Sequence, residues 1–293
     1  MNASAVKYAW SRHRVWSLGA KALKQRVVTM RRWSLAALLV GAVAGAVAAS
    51  THDTHQAWSI AAAAVAAVAV AIGTYNRAQL DGGAAAEWTG ARLVSEALKS
   101  EVFTFLAGAA PYREGGERAL LDVVERIEAG AGGDLAARVS GIDPDGDPVP
   151  AVTDARTYRD LRVVGQISGF YGKRAKALKI TLDRFRRVDL VIGYGGAALT
   201  AVAGVVVGGA LTVWIGVLTT VGAALAAHVT QGQFEFQLVE YGRTANALEL
   251  LCARYESGTD RDDDEFVAAC ERVISDQNAA WLAKLTGKVE GAS

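Results

Sequence analysis

The chain is poor in the residues that mark disulfide-rich, metal-binding and loop-rich proteins. Its 293 residues include only 2 cysteines, 4 histidines and 4 prolines. Cys252 and Cys270 lie in a late polar segment without histidine neighbours, so they do not form a metal-binding pattern. Pairing and thiol reactivity are alternatives, but we expect two reduced cysteines on helices. We expect neither a bound metal nor a cofactor.

Motifs for catalysis and for nucleic-acid binding are missing as well. The sequence contains no H-E-x-x-H, no G-x-S-x-G and no P-loop lysine. The formal net charge is +1, so the chain as a whole has no bias toward nucleic acid. We therefore expect no enzyme, no catalytic residues and no nucleic-acid partner.

One stretch imitates a dinucleotide-binding turn. Gly193, Gly195 and Ala198 follow an apolar run with G-x-G-x-x-A spacing. Such a turn needs an acidic residue about 20 positions further on, yet no Asp or Glu lies between Asp189 and Glu235. The apolar run also continues far beyond the roughly 4–8 residues of a strand. A membrane helix, which tolerates glycine, explains the run better, and a soluble dehydrogenase-like enzyme is the weakest alternative.

Charged residues are nearly absent from four long apolar segments. These cover residues 33–50, 57–75, 188–208 and 211–229. Each approaches the roughly 20 helical residues that cross a bilayer. The sequence therefore predicts an all-α integral membrane protein with four transmembrane helices in two helical hairpins. Long cytosolic helices are expected to extend these hairpins and to form a bundle.

Lysine and arginine precede the first and third apolar segments but are absent from both hairpin turns. Basic flanks stay on the cytoplasmic side, so we expect a multi-pass protein of the inner (plasma) membrane with cytoplasmic N- and C-termini. His52, Asp53 and His55 fall in the first turn. Three such groups could approach a metal, but a solvated turn is the expected interpretation.

The two halves of the chain repeat one arrangement. "KALKQRVVTMRR" at residues 21–32 precedes the first apolar segment, and "KALKITLDRFRR" at residues 176–187 precedes the third. A segment rich in proline and glycine separates the halves. The predicted domains are a first unit at residues 1–132, a linker at 133–152 and a second unit at 153–287.

Small and hydroxyl-bearing residues recur on one face of each of the last two apolar segments. The third segment carries Asp189, Gly193, Gly196, Thr200 and Gly204, and the fourth carries Thr212, Gly216 and Thr219. This pattern permits close packing of membrane helices. It also suits a pore lining in which hydroxyls and exposed backbone face water. For Asp189, an ion pair with the neighbouring Arg186 or Arg187 is expected rather than an ion path.

Four motifs resemble a known family. They are "EWTGARLVSEALKSEVFTFLAGAAPY" in the first half, and "YRDLRVVGQISGFYGKRAKALK", "EYGRTANALELL" and "ISDQNAAWL" in the second. Their order resembles the SLATT family, the SMODS- and SLOG-associating two-transmembrane effectors, here as two tandem units. The resemblance implies a bacterial membrane effector of a conflict (antiphage) or nucleotide-signalling system, acting as an oligomeric pore, channel or membrane-perturbing protein gated through its cytosolic helices. The implied partners are the lipid bilayer, further copies of the chain, and a nucleotide second messenger or sensor protein.

A non-conducting scaffold is the alternative function. Aromatic side chains on the cytosolic helices would then recruit a partner, or else would pack against each other within the bundle. These side chains are Trp88, Phe103, Phe105, Tyr158, Phe170 and Tyr171.

Overall fold

The described residues of the computed structural model, 3–113, 116–144, 146–205, 210–259 and 262–290, form helices and no strand. This confirms the all-α fold. The α-helices are α1 (Ala3–Thr51), α2 (Gln56–Gln79), α3 (Ala85–Leu106), α4 (Gly116–Ala129), α5 (Gly133–Val139), α6 (Ala155–Tyr158), α7 (Gly172–Ala203), α8 (Ala210–Gly232), α9 (Phe234–Glu256) and α10 (Asp263–Glu290).

A kinked segment and a π-helical segment join neighbouring α-helices. Leu80–Ala84 links α2 to α3, and its Gly83 has a φ of 102°, a conformation that glycine adopts without a steric penalty. The chain bends at this glycine. The second segment, Arg159–Tyr171, links α6 to α7, so the chain is helical without interruption from α6 to the end of α7. Long π-helical stretches are rare, and shorter ones often occur at functional sites.

The chain divides into two compact units, and each draws on both halves of the sequence. The polar unit comprises Met1–Arg26, Gly83–Lys176 and Leu238–Ser293. The apolar unit comprises Val27–Gly82 and Ala177–Gln237. The compact units therefore do not follow the repeat boundaries at residues 132 and 153, which describe the sequence alone.

The polar unit has an aromatic core. Trp10 and Trp16 of α1 are buried, as are Phe103 of α3 and Tyr158 of α6. The ring centroids of Trp10 and Phe103 are 6.2 Å apart, and those of Phe103 and Tyr158 are 6.4 Å apart, both near edge-to-face geometry. Such pairs contribute about 0.5–1.5 kcal/mol beyond the burial of their area.

The apolar unit contains two helical hairpins. In the first, the Ser59 hydroxyl donates to the carbonyl of Ala48 at 2.9 Å across the turn between α1 and α2. Further along this hairpin, a Cβ added at Gly41 would lie 3.5 Å from that of Ala69. In the second hairpin, a Cβ at Gly222 of α8 would lie 3.5 Å from Cγ2 of Ile192 of α7. Small residues thus allow close approach within both hairpins.

Three stretches of helix in the described residues are long and apolar enough to span a membrane, whereas the sequence predicted four. They are Ser4–Thr51, Gln56–Gln79 and Thr212–Glu256. The predicted span at residues 188–208 is not among them because α7 ends at Ala203. The apolar part of α7 is therefore shorter than the roughly 20 residues that a span needs. Residues 206–209 of that prediction lie outside the described part of the chain.

Replacing Gly19 with alanine is expected to destabilise the polar unit. A Cβ at Gly19 would lie 2.4 Å from Cγ1 of the buried Val139. Overpacking of this kind costs about 1–3 kcal/mol, more than the roughly 1 kcal/mol that alanine contributes as a better helix former. Gly242→Ala is the control, since a Cβ there meets nothing within 4 Å. Thermal unfolding in detergent should show a lower Tm for the first variant and an equal or higher one for the second. Equal effects would contradict the contact.

Candidate functional site

The small-residue face predicted from the sequence lies on α7 and α8 of the apolar unit and is largely exposed. Asp189, Gly193 and Thr200 of α7 are exposed, and Gly196 is partly so. Gly204 is also exposed, directly after α7 ends. The three positions on α8 are exposed: Thr212, Gly216 and Thr219.

The glycines of this face are not filled by other helices of the same chain. A Cβ added at Gly193, Gly196 or Gly216 would meet nothing within 4 Å. This differs from Gly41 and Gly222, where a neighbouring helix of the same hairpin lies in contact. Among the described residues, no other helix of the chain packs against these three glycines.

The threonine hydroxyls of the face donate to their own helices. Thr200 Oγ1 donates to the Gly196 carbonyl at 2.8 Å, and Thr219 Oγ1 donates to the Ile215 carbonyl at 2.9 Å. A hydroxyl oxygen also has two acceptor lone pairs. Each threonine therefore offers an acceptor oxygen on an otherwise apolar surface, a chemistry that suits water or a cation.

The ion pair near the start of the face involves different partners from those expected. Arg186 Nη2 lies 3.1 Å from Glu235 Oε1. Among the described residues, Asp189 forms no ion pair within 4 Å, so its predicted pair with Arg186 or Arg187 is wrong. Glu235, at the start of α9, is the carboxylate that pairs with Arg186.

A second candidate site, which the sequence did not reveal, is a buried charge network in the polar unit. Arg162 lies in the π-helical segment and is 1% exposed. Its Nε and Nη2 atoms donate to the two carboxylate oxygens of Glu271 on α10, both at 2.9 Å. The Tyr158 hydroxyl donates to the same carboxylate at 2.8 Å. Bidentate pairing of this kind is strong and specific in geometry.

A second carboxylate approaches Arg162 from α3. Glu96 Oε2 lies 3.9 Å from Arg162 Nη1, and both atoms are buried without a hydrogen-bond partner among the described residues. The guanidinium also lies 5.0 Å from the ring centroid of Phe103. The network therefore connects α3, the π-helical segment and α10, which belong to different halves of the sequence.

The network is ionised and unsuited to proton transfer near neutral pH. Burial alone would raise the pKa of Glu271, but the charge and hydrogen bonds of Arg162 outweigh it and lower that pKa. Burial opposes ionisation of Glu96 in the same way, and the charges of Lys99 and Arg162 lower its pKa. Burial, followed by the charge of Glu271, raises the pKa of Tyr158 well above its usual value. The paired charges fit a structural role in holding these helices together.

His13, in the polar part of α1, is buried beside this network. Its Nδ1 lies 2.8 Å from the Ser95 carbonyl oxygen, which can only accept, so Nδ1 carries the proton. Burial lowers the pKa of His13 to about 4. The neutral imidazole is therefore the form that the folded polar unit selects.

Acidification between pH 6.5 and 4.5 is expected to destabilise the protein through His13. Its pKa falls from 6.5 in the unfolded chain to about 4 in the folded one. Its contribution to stability is therefore complete above pH 6.5 and is lost as the pH falls toward 4. The full loss corresponds to about 3 kcal/mol. Unfolding measured against pH should show a smaller loss in this window for His13→Asn, whose amide can donate to Ser95 but does not titrate. An unchanged pH profile would contradict the assignment.

The aromatic side chains proposed as a scaffold surface mostly pack inside the polar unit. Four of them are buried: Trp88, Phe103, Tyr158 and Tyr171. The half-buried Phe170 contacts Tyr171 at a centroid distance of 5.2 Å, and Phe105 contacts Tyr112 at 5.6 Å. Packing of these rings against each other is thus confirmed for Phe103 with Tyr158 and for Phe170 with Tyr171.

Both cysteines are free and buried, Cys252 on α9 and Cys270 on α10. This confirms the expectation of two reduced thiols on helices. Burial raises the pKa of the Cys270 thiol far above its usual value, and it also raises that of Cys252. Neither thiol is therefore a reactive nucleophile near neutral pH.

Comparison with protein families places these sites in context. Residues 158–281 match the family described as SMODS and SLOG-associating 2TM effector domain 1. The SLATT resemblance is thereby supported for the second half of the chain. Residues 14–119 match a different family, described as a protein of unknown function (DUF4231). The tandem interpretation is therefore supported only in part.

The SLATT match implies a membrane effector of conflict systems. Together with the apolar helices, it indicates a membrane protein. The matched region contains Arg162 and Glu271 as well as the exposed face of α7 and α8. No curated protein and no solved structure matches the chain.

Proposed function

We propose that the chain assembles in the inner membrane as an oligomeric pore whose path is lined by the small-residue face of α7 and α8. The observation that carries this proposal is the state of that face in a single chain. It is largely exposed, Gly193, Gly196 and Gly216 have open space above them, and its threonines present acceptor oxygens. Two sequence repeats per chain, each with a basic segment followed by an apolar hairpin, would leave both termini in the cytoplasm.

The surface of the apolar unit supports its placement in lipid. Large apolar side chains are strongly exposed there, including Tyr194 at 74%, Trp58 at 72% and Val191 at 71%. In water, exposed apolar patches of this kind favour association or membrane insertion. In a bilayer they face acyl chains, and the Trp58 and Tyr194 rings suit positions near the lipid interface.

Assembly of several copies would give the small-residue face a partner. Small residues let helix backbones approach closely in membranes. The Thr200, Thr212 and Thr219 hydroxyls would then line a hydrated path, because their acceptor oxygens tolerate water better than aliphatic side chains do. Asp189, at the cytoplasmic end of the apolar part of α7, would favour cations over anions at the entrance.

Gating through the polar unit follows from its connectivity. α1 and α7 each contribute residues to both compact units. A ligand or sensor protein that binds one conformation of the polar unit more tightly would shift the population of that conformation. A nucleotide second messenger or a separate sensor protein is the class of trigger that we expect.

Solute efflux from liposomes tests this function. Purified protein in phosphatidylcholine liposomes loaded with K⁺ or a small fluorescent anion should release its contents at a rate that rises more than linearly with protein density. The oligomer number would be read from cross-linking or light scattering in detergent. A strictly monomeric protein that releases nothing across triggers and voltages would overturn the pore.

A specific groove favours the scaffold as the second candidate. Tyr8 on α1 and Leu121 on α4 are exposed and line a groove with Val124 and Glu125 in the polar unit. A cytosolic partner with an apolar, basic segment would fit it. Under this alternative, Leu121→Asp abolishes the partner interaction while variants of the α7 and α8 face have no effect on function.

A further inference from the structure

Three positive side chains from three helices lie over two aromatic rings of the polar unit, Trp88 and Phe170. Lys24 Nζ of α1 lies 5.6 Å from the ring centroid of Trp88. Arg92 of α3 and Arg174 of α7 both lie over the ring of Phe170, with their Cζ atoms 5.5 and 5.8 Å from its centroid. Cation–π contacts of this kind hold a cation in a defined position.

These rings are themselves fixed by packing. The centroid of Phe170 lies 5.2 Å from that of Tyr171 and 5.7 Å from that of Tyr241. Tyr171 and Tyr241 are buried, and so is Trp88. The three cations therefore contact rings whose positions are held by packing within the polar unit.

No carboxylate neutralises this cluster directly. Within the described part of the chain, none of Lys24, Arg92 and Arg174 has an ion pair within 4 Å. Arg12 and Arg138 of the same unit do have such partners, Glu128 at 2.7 Å and Glu87 at 2.9 Å respectively.

Two further observations indicate an excess of positive charge. Glu96, the acid that interacts with Arg92, is also held by the charges of Lys99 and Arg162. Burial, and then repulsion from Arg174 and Arg92, lowers the pKa of Lys24 to about 8. The folded polar unit therefore holds like charges together at a cost that an anion would relieve.

We propose that Lys24, Arg92 and Arg174 form a binding site for an anionic phosphate group. Guanidinium groups bind phosphate oxygens through paired N–H donors, and a lysine ammonium adds a compact charge. Lys24 and Arg92 are half-buried and Arg174 is exposed, so the site is open on one side. The site does not depend on whether the chain conducts.

The phosphate could belong to a lipid headgroup or to a soluble phosphate ester, and the position of the site favours the second. Lys24 lies nine positions before the start of the apolar segment at residue 33, which is about 13 Å along an α-helix. The polar layer of a bilayer is only about 5–8 Å thick on each side. A soluble phosphate ester therefore reaches Lys24 more readily than a headgroup does.

Calorimetric titration with pyrophosphate tests the site on the full chain in neutral detergent at constant ionic strength. The wild-type protein should bind, and Arg174→Gln and Lys24→Met should each weaken the affinity about tenfold or more. Lys21→Met is the matched control, because Lys21 is an exposed lysine one turn away on α1. Its affinity should stay within about twofold of the wild type.

Nanodiscs distinguish the two sources of phosphate. If the site takes a soluble ester, the pyrophosphate affinity is the same in phosphatidylcholine and in phosphatidylcholine with phosphatidylglycerol. If it takes a headgroup, phosphatidylglycerol weakens pyrophosphate binding to the wild type but not to Arg174→Gln. Absence of pyrophosphate binding in detergent and in phosphatidylcholine nanodiscs, or an equal loss with Lys21→Met, would overturn the site. Neither result bears on liposome efflux.

Discussion

Glu271→Gln is expected to lower the free energy of unfolding by about 3–5 kcal/mol, the range for removing one partner of a buried ion pair. The substitution preserves the size of the side chain but leaves the Arg162 guanidinium, which is 1% exposed, without its counter-charge. Arg162 donates two 2.9 Å hydrogen bonds to the carboxylate, and at most one of them remains. The amide nitrogen of the new side chain is itself a donor and cannot accept a hydrogen bond from the guanidinium. Denaturant or thermal unfolding of the detergent-solubilised chain measures the loss.

Arg186→Gln is the control for this prediction. It removes an ion pair of the same chemistry, Arg186 with Glu235, but the two side chains are 69% and 67% exposed. Water screens such pairs, so we expect a change below about 1 kcal/mol. The double variant Arg162→Met with Glu271→Leu should recover part of the loss, since it removes both buried charges. Equal effects of Glu271→Gln and Arg186→Gln would show that the buried network contributes nothing special.

The sequence predicted the helices and the apolar hairpins because both follow from local pattern. Uninterrupted apolar stretches have few alternatives to a membrane helix. The exposed face of α7 and α8 also follows from residue spacing, because positions three and four apart share a face whatever the rest of the chain does.

The buried network could not be predicted in this way. Local hydrophobicity predicts that apolar residues are buried and charged residues are exposed, and the structure shows the reverse. In the π-helical segment the apolar Leu161 and Val164 are exposed while Arg162 is buried. Burial of an arginine is tolerable only with a paired carboxylate, and Glu271 lies 109 residues further along the chain. The wider π-helical turn also changes which residues face inward, and a period of 3.6 residues does not describe it.

The end of the third apolar segment shows a different limit of prediction from sequence. Composition predicted a span over residues 188–208, whereas α7 ends at Ala203. Glycine and β-branched residues dominate this region, and both are weak helix formers. The position at which such a helix ends depends on its surroundings more than on its composition.

Gly193→Leu is expected to reduce solute efflux about tenfold or more, because bulky apolar side chains close hydrated paths by excluding water. Gly195→Leu is a closely matched control. Both glycines lie on α7, both are exposed, and a Cβ at either would meet nothing within 4 Å. They point about 160° apart on the helix, at 3.6 residues per turn, so only Gly193 shares the face of Thr200.

Gly195→Leu should therefore keep efflux within about twofold of the wild type, since its side chain would face lipid, where leucine is favourable. Efflux rates from liposomes, normalised to reconstituted protein, provide the comparison. Equal inhibition by the two variants would indicate a general effect on insertion, and stronger inhibition by Gly195→Leu would place the path on the opposite side of α7. The two substitutions add the same side chain to the same helix at exposed positions, and they differ only in the face of α7 that they change. A difference in efflux between them therefore tests the proposed pore directly.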